Sequence, residues 1–206
     1  MKKIAFIIDY NPTKWLGGIY VIKNLIQCIN KFSKNKIETV LVVKKKFNKE
    51  EKKIFKNCKL IKTNLFINRS LFFKIFSKLS IIIFGKYEEY ESFFLKEKID
   101  FVSHINVFNS NLFFGKKSSV KTLSFIPDLQ HIHFKENFSF KKRFMRNLNI
   151  FFCGLFSSKI LLSSSDVKKD VKKISQIAWK NSKINRFIFE TPKKANIQSL
   201  KNLKRK

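Results

Sequence analysis

The chain has 206 residues and a formal charge of +30, from forty-four Lys and Arg against fourteen Asp and Glu. Such a length holds one large domain with a proper core, or a domain plus a tail. The charge invites a polyanionic partner, but arginine occurs only at Arg69, Arg143, Arg146, Arg186 and Arg205. A lysine excess scattered through every segment, of the kind AT-rich coding also produces, reads as a solvated surface. It argues against specific nucleic-acid binding and leaves peripheral contact with anionic lipid open. Cys28, Cys58 and Cys153 are odd in number, far apart and without paired metal-ligand spacing, as expected of reduced thiols in a cytoplasmic protein with no structural zinc.

Lys3 to Asp9 (KIAFIID) is a nearly continuous apolar run with β-branched residues, the pattern of a strand covered on both faces of a parallel sheet. It is too short for the core of a secretory signal. After a loop from Tyr10 to Leu16, Gly17 and Gly18 open a segment in which Ile22, Leu25, Ile26, Ile29 and Phe32 recur at helical spacing. Strand, glycine pair and helix is the order in which backbone N–H groups at a helix start meet a phosphate. It is also the order of an ordinary turn, and the full G-x-G-x-x-G is lacking.

Glu38 to Val43 is a second strand, Asn48 to Asn57 a short charged helix and Leu60 to Thr63 a third strand. Ser70 to Phe84 is a helix apolar almost all round, expected in the core under the sheet, with an interfacial helix touching lipid through Phe72, Phe73, Phe76 and Ile83 as the alternative. Lys74, Lys78 and Lys159 interrupt the greasiest segments, so no membrane-crossing helix is expected. Tyr87 to Lys98 is a second, amphipathic helix. Ile99 to Ile105 is a fourth strand that places His104 near its end, as a satisfied core side chain.

Val120 to Ile126 is the fifth strand. It stops at Pro127, and Asp128, Gln130, His131 and His133 follow, so two of the three histidines fall just past a buried strand. Open α/β sheets bind ligands in the crevice outside those strand ends, although a surface loop with two solvated histidines would look the same. Phe140, Phe144, Leu148, Phe151, Phe152 and Leu155 then trace a long helix whose outer face carries Lys141, Lys142, Arg143 and Arg146, the best patch for an acidic head group. Lys159 to Leu162 is a sixth strand, and Ser163 to Ser165 with Asp166 cap a helix that buries Val167, Val171 and Ile174. Lys183 to Phe189 is a last strand, and beyond Pro192 the chain is polar and lysine-rich. Strands alternating with helices predict an α/β fold, a single doubly wound and mainly parallel sheet flanked by helices over residues 1–190, with a basic tail over 191–206.

Four stretches, KIAFIIDYNPTKWLGGIYV, FIPDLQHIHFKENFS, the helix with FMRNLN, and ILLSSSDVKKDVKKI, resemble the N-terminal half of GT-B glycosyltransferases of the family 4 type. The likeness runs from Lys2 to about Lys204, and PDLQHIHF is its most specific element. It implies a Rossmann-like domain that mainly binds the acceptor, with a second domain holding most of the nucleotide-sugar donor. Gly17 and Gly18 would then approach the donor diphosphate, and Asp128, His131 and His133 would face the reacting sugar. The chain has Pro127 where many relatives place a histidine, and it stops where the interdomain linker would lead into the donor domain. Glu89 and Glu97 have the spacing of that domain's two glutamates but sit on an early helix, where the match is coincidental. The implied function is the acceptor side of a sugar transfer from a nucleotide-sugar to a glycan or lipid-linked acceptor, inactive until a donor domain, such as a separate chain, completes it. No permanently bound cofactor and no metal are expected. The alternative is a noncatalytic basic module on an anionic membrane, and either reading places the protein in the cytoplasm or at the inner face of the membrane.

Overall fold

Residues 1–8, 16–33, 35–44, 55, 58–65, 71–106 and 114–187 are described by the computed structural model. Seven strands lie side by side: β1 (Lys2–Ile8), β2 (Ile37–Lys44), β3 (Lys59–Thr63), β4 (Phe101–Asn106), β5 (Lys121–Ile126), β6 (Lys159–Leu162) and β7 (Ser182–Ile184). Their order is β3-β2-β1-β4-β5-β6-β7 and every neighbouring pair is parallel. The helices between them are α1 (Leu16–Phe32), α2 (Leu71–Phe84), α3 (Glu88–Lys96), α4 (Gln130–His133), α5 (Phe140–Phe156), α6 (Ser165–Ile174) and α7 (Gln176–Lys180). This is a single Rossmann-like α/β domain, as the alternating pattern predicts.

The chain starts in the middle, steps outward through β2 and β3, returns to β4 beside β1 and steps outward the other way. Right-handed crossovers put the connections of the two runs on opposite faces, and two apolar clusters match. On one face Ile19, Ile22 and Ile26 of α1 pack with Phe55 against Phe6, Ile8, Leu41 and Val43. On the other, Phe94 of α3, Ile150 and Cys153 of α5, Val171 and Ala178 cover Ala5, Ile7, Val42, Val102, Ile126 and Ile160. Alternate residues of β1 serve alternate faces, which is why the run had to be apolar throughout. Burying a side chain as large as Phe94, with no exposed surface, contributes about 1.5–3 kcal/mol.

Serines set the helix starts. The hydroxyls of Ser139, Ser164 and Ser175 accept from the backbone N–H of Lys142, Val167 and Ala178 at the heads of α5, α6 and α7. Each satisfies a donor with no partner inside the helix, an effect of about 1 kcal/mol. Where α5 crosses α7, a Cβ on Gly154 would stand 2.6 Å from the Ala178 nitrogen, so only glycine allows this approach.

The structure departs from the sequence reading in three places. Helix α2 is a surface helix: of its described side chains Ser77 and Ile81 are buried, while Ile75, Phe76, Leu79, Ile82, Ile83 and Phe84 are 48–68% exposed. The inner place belongs to α3, where Tyr90 and Phe94 pack on Phe114. The last strand is shorter than expected, and α7 precedes it where no helix was expected. The expected charged helix Asn48 to Asn57 lies outside the described residues apart from Phe55, as do most of the loop after β1, the side chains of Phe72 and Phe73, and the tail. Among the described residues no helix is long and apolar enough to cross a membrane.

Candidate functional site

The strand order reverses between β1 and β4, and open α/β sheets hold ligands at the carboxyl edge of such a switch point. Among the described residues, four chain segments reach that edge near the switch point. Gly17 and Gly18 stand in the first turn of α1 after β1, Pro127 to His133 follow β5, Ser163 and Ser164 follow β6, and Asn185 to Phe187 follow β7. Only β4 separates β1 from β5, so the ends of these two strands are about 10 Å apart, two strand spacings. Gly17 is exposed with nothing within 4 Å of where a Cβ would be, and Gly18 is buried. The first turn of α1 holds no acidic side chain to offset its N–H groups.

The turn after β5 is held from three sides. The Ser163 hydroxyl donates to the Pro127 carbonyl, tying the exits of β5 and β6. His131 is buried and its Nε2 donates to Asn147 Oδ1 on α5 at 2.8 Å. Burial lowers its pKa, and the Asn147 bond opposes that. His133 stands outward, its Nε2 donating to Asp170 Oδ2 on α6 at 2.6 Å, while Lys173 Nζ donates to the other oxygen at 3.0 Å. Burial pushes the Asp170 carboxyl up, but these two donors outweigh it and hold it below the usual range. The two histidines therefore grip different helices and do not converge. Asp128 is half-buried beside them, with a 3.5 Å contact from the Gln130 N–H, and its charge bears on both His131 and Arg146.

The residue that sequence reasoning passed over is His104. It is buried, as expected, but its backbone is not that of a strand: φ is 55°, and the pairing of β4 with β5 skips it between Ser103 and Ile105. A left-handed residue in a bulge next to a switch point is a strained arrangement of the kind that re-aims side chains at sites. The imidazole lies 4.7 Å from the Phe125 ring and 5.8 Å from Phe6, and its Nδ1 is 2.8 Å from Ser103 Oγ. Burial lowers its pKa to about 4, so the ring is neutral at physiological pH. It borders a cavity of about 10 Å³, room for about one water, closed by Val21, Leu25, Asn185, Arg186 and Phe187. The polar pair Ser103–His104 interrupts the apolar run there, but such a pair does not by itself mark a bulge, since β5 carries Ser124 within a regular strand.

Glu89 and Glu97 lie on and just after α3, Glu89 bonded to Tyr87 and the Glu97 carbonyl to Lys3 Nζ, and neither joins this edge. Among the described residues no group of three His, Cys, Asp or Glu side chains converges as metal ligands would.

No protein-family model matches the chain, and no curated protein matches it. Solved structures do. The chain is similar to Staphylococcus aureus MnaA solved with UDP, at 15% identity and a TM-score of 0.53, over 89% of this chain and 43% of that one. It is also similar to Anabaena HepE solved with UDP and glucose, at 12% identity and a TM-score of 0.51, over 98% of this chain and 50% of that one. At such identities the likeness is one of fold. The chain spans about half the length of these two structures.

Proposed function

We propose that this chain is the acceptor-side, N-terminal half of a GT-B glycosyltransferase that uses a nucleotide-sugar. The observation that carries the reading is the placement of β1 and β5 on either side of β4 at the switch point, β1 leading into the helix whose first turn holds Gly17 and Gly18 and β5 into the Asp128–His133 turn. Likeness to two proteins solved with UDP supports it. In glycosyl transfer the bond from the anomeric carbon to the leaving diphosphate breaks, a bond to the acceptor oxygen forms and the acceptor proton departs. The N–H groups at the start of α1, beside the exposed Gly17, would face phosphate, and among the described residues the Asp128 carboxylate is placed at the strand tips to take the acceptor proton. His131 and His133 hold the turn that carries it. One wall of a cleft cannot both neutralise the leaving group and hold the acceptor, so transfer calls for a donor-side half, in the same polypeptide or another. Sugar transfer from a panel of nucleotide-sugars would be measured with the purified chain alone and with the protein encoded directly downstream. Turnover in the pair that falls at least a hundredfold in Asp128→Asn is expected. Robust turnover by this chain alone overturns the division of labour.

A second reading has one specific observation in its favour, the outer apolar face of α2. A noncatalytic module held on an anionic membrane would float with anionic liposomes in a salt-sensitive way, whereas failure to float removes it.

A further inference from the structure

We infer that the groove between α4, α5 and α6 seats one phosphate-headed alkyl chain, which names the acceptor class for the glycosyltransferase reading and rests on that reading for its role as acceptor. The groove has a volume of about 320 Å³, within the range of small-molecule sites. Its apolar lining is Ile132, Phe140, Phe144 and Ile174. Phe140 and Phe144 are 76% and 58% exposed, one turn apart on α5, so two large rings line a space that the protein's own core does not fill.

Three of the five polar side chains that line it are cationic, the others being His131 and Asn147. Lys135, Arg143 and Lys173 border the same groove. Lys173 is neutralised by Asp170 at 3.0 Å, but Lys135 and Arg143 have no carboxylate within ion-pair distance among the described residues. Arg143 adds an independent sign: its Nε is buried without a hydrogen-bond acceptor. A buried donor left unmade is costly, and a phosphate oxygen would satisfy it while meeting the guanidinium charge. The acidic groups nearby are Glu136, beside Lys135 and exposed, Asp128 and the already bonded Asp170. His131 borders the groove too, and it follows Asp128 by three residues, so a head group held by Arg143 would lie on the flank of the strand tips. Apolar walls with unpaired cations at the rim fit an anionic amphiphile better than a neutral glycan, which would want paired polar donors and acceptors.

The test is a titration of the full chain with monododecyl phosphate below its micelle concentration, read by backbone amide shifts, alongside dodecyl maltoside and inorganic phosphate. One molecule bound per chain is expected, with shifts confined to α4, α5 and α6. Arg143→Gln should weaken the phosphate probe at least tenfold without affecting the maltoside, Phe144→Ser should weaken both, and Phe76→Ser on α2 should change neither. Both altered phenylalanines are exposed, so the variants keep their fold. Equal affinity for the two amphiphiles, shifts centred on α2, or binding to anionic vesicles alone would overturn the inference. A saturable groove in a chain that supports no sugar transfer with any partner would sink the enzymatic reading and leave the groove. Transfer without dodecyl phosphate binding would do the reverse.

Discussion

Acidification from pH 7.5 to 4.5 should cost the protein stability through His104, and by a calculable amount. The ring is 5% exposed between Phe125 and Phe6, and burial takes its pKa from an ordinary 6.5 to about 4. The unfolded chain therefore takes up the proton first as pH falls. The stability that a neutral His104 contributes is complete above about pH 6.5 and is lost as pH descends toward 4. Each tenfold difference in proton affinity is worth about 1.4 kcal/mol, so the whole descent costs about 3 kcal/mol, a large share of a typical domain's 5–15. Asparagine tolerates the left-handed backbone and does not titrate, so His104→Asn is the control. Urea unfolding of both proteins at pH 7.5 and 4.5 should show their stability difference change by about 2–3 kcal/mol, the other histidines cancelling in the comparison. An equal pH slope in the two proteins, or an NMR titration of His104 near 6.5, would refute the reasoning. The strain is separately measurable: at φ 55° His104→Gly should be more stable than His104→Ala by about 1 kcal/mol.

Glu91 is buried, accepting from the Ser119 N–H at 2.6 Å and from Lys86 at 3.0 Å; burial raises its pKa, but these partners outweigh it and the carboxyl sits below the usual range. Glu91→Ala should therefore cost about 1–3 kcal/mol in urea unfolding at pH 7, with Glu91→Gln intermediate because it keeps an acceptor for Ser119. That stability is present above the unfolded carboxylate range and is lost as pH falls below about 4. Gly154→Val should cost at least about 2 kcal/mol, since the atoms in its way are the backbone nitrogen and Cα of Ala178 and cannot rotate aside, and thermal melts would read it. Asp170→Asn removes the ionic partner of both His133 and Lys173; faster amide exchange across residues 130–134 is expected, with the sheet amides unchanged.

The strand runs were legible because a parallel sheet buried on both faces favours apolar residues at successive positions, which β1, β2 and β6 supply in a few consecutive residues, while β5 buries Thr122 and Ser124 through hydrogen bonds. The cap at Ser164 was equally local, since a hydroxyl and an N–H three residues on need nothing from the rest of the chain. Helix α2 was misjudged because composition cannot tell which of two successive apolar helices lies against the sheet. That depends on Tyr90 and Phe94 finding Phe114, a contact between distant segments.

At the candidate site the division is similar. Asp128, His131 and His133 could be placed after β5 from Pro127 alone, but their partners, Asn147 on α5 and Asp170 on α6, lie sixteen and thirty-seven residues away. Periodicity reports what each residue must bury and so determined the α/β order of this protein. The bulge at His104, the grip of α5 and α6 on the histidine turn and the groove at Arg143 are agreements between segments remote in sequence, and only their packing against one another decided them.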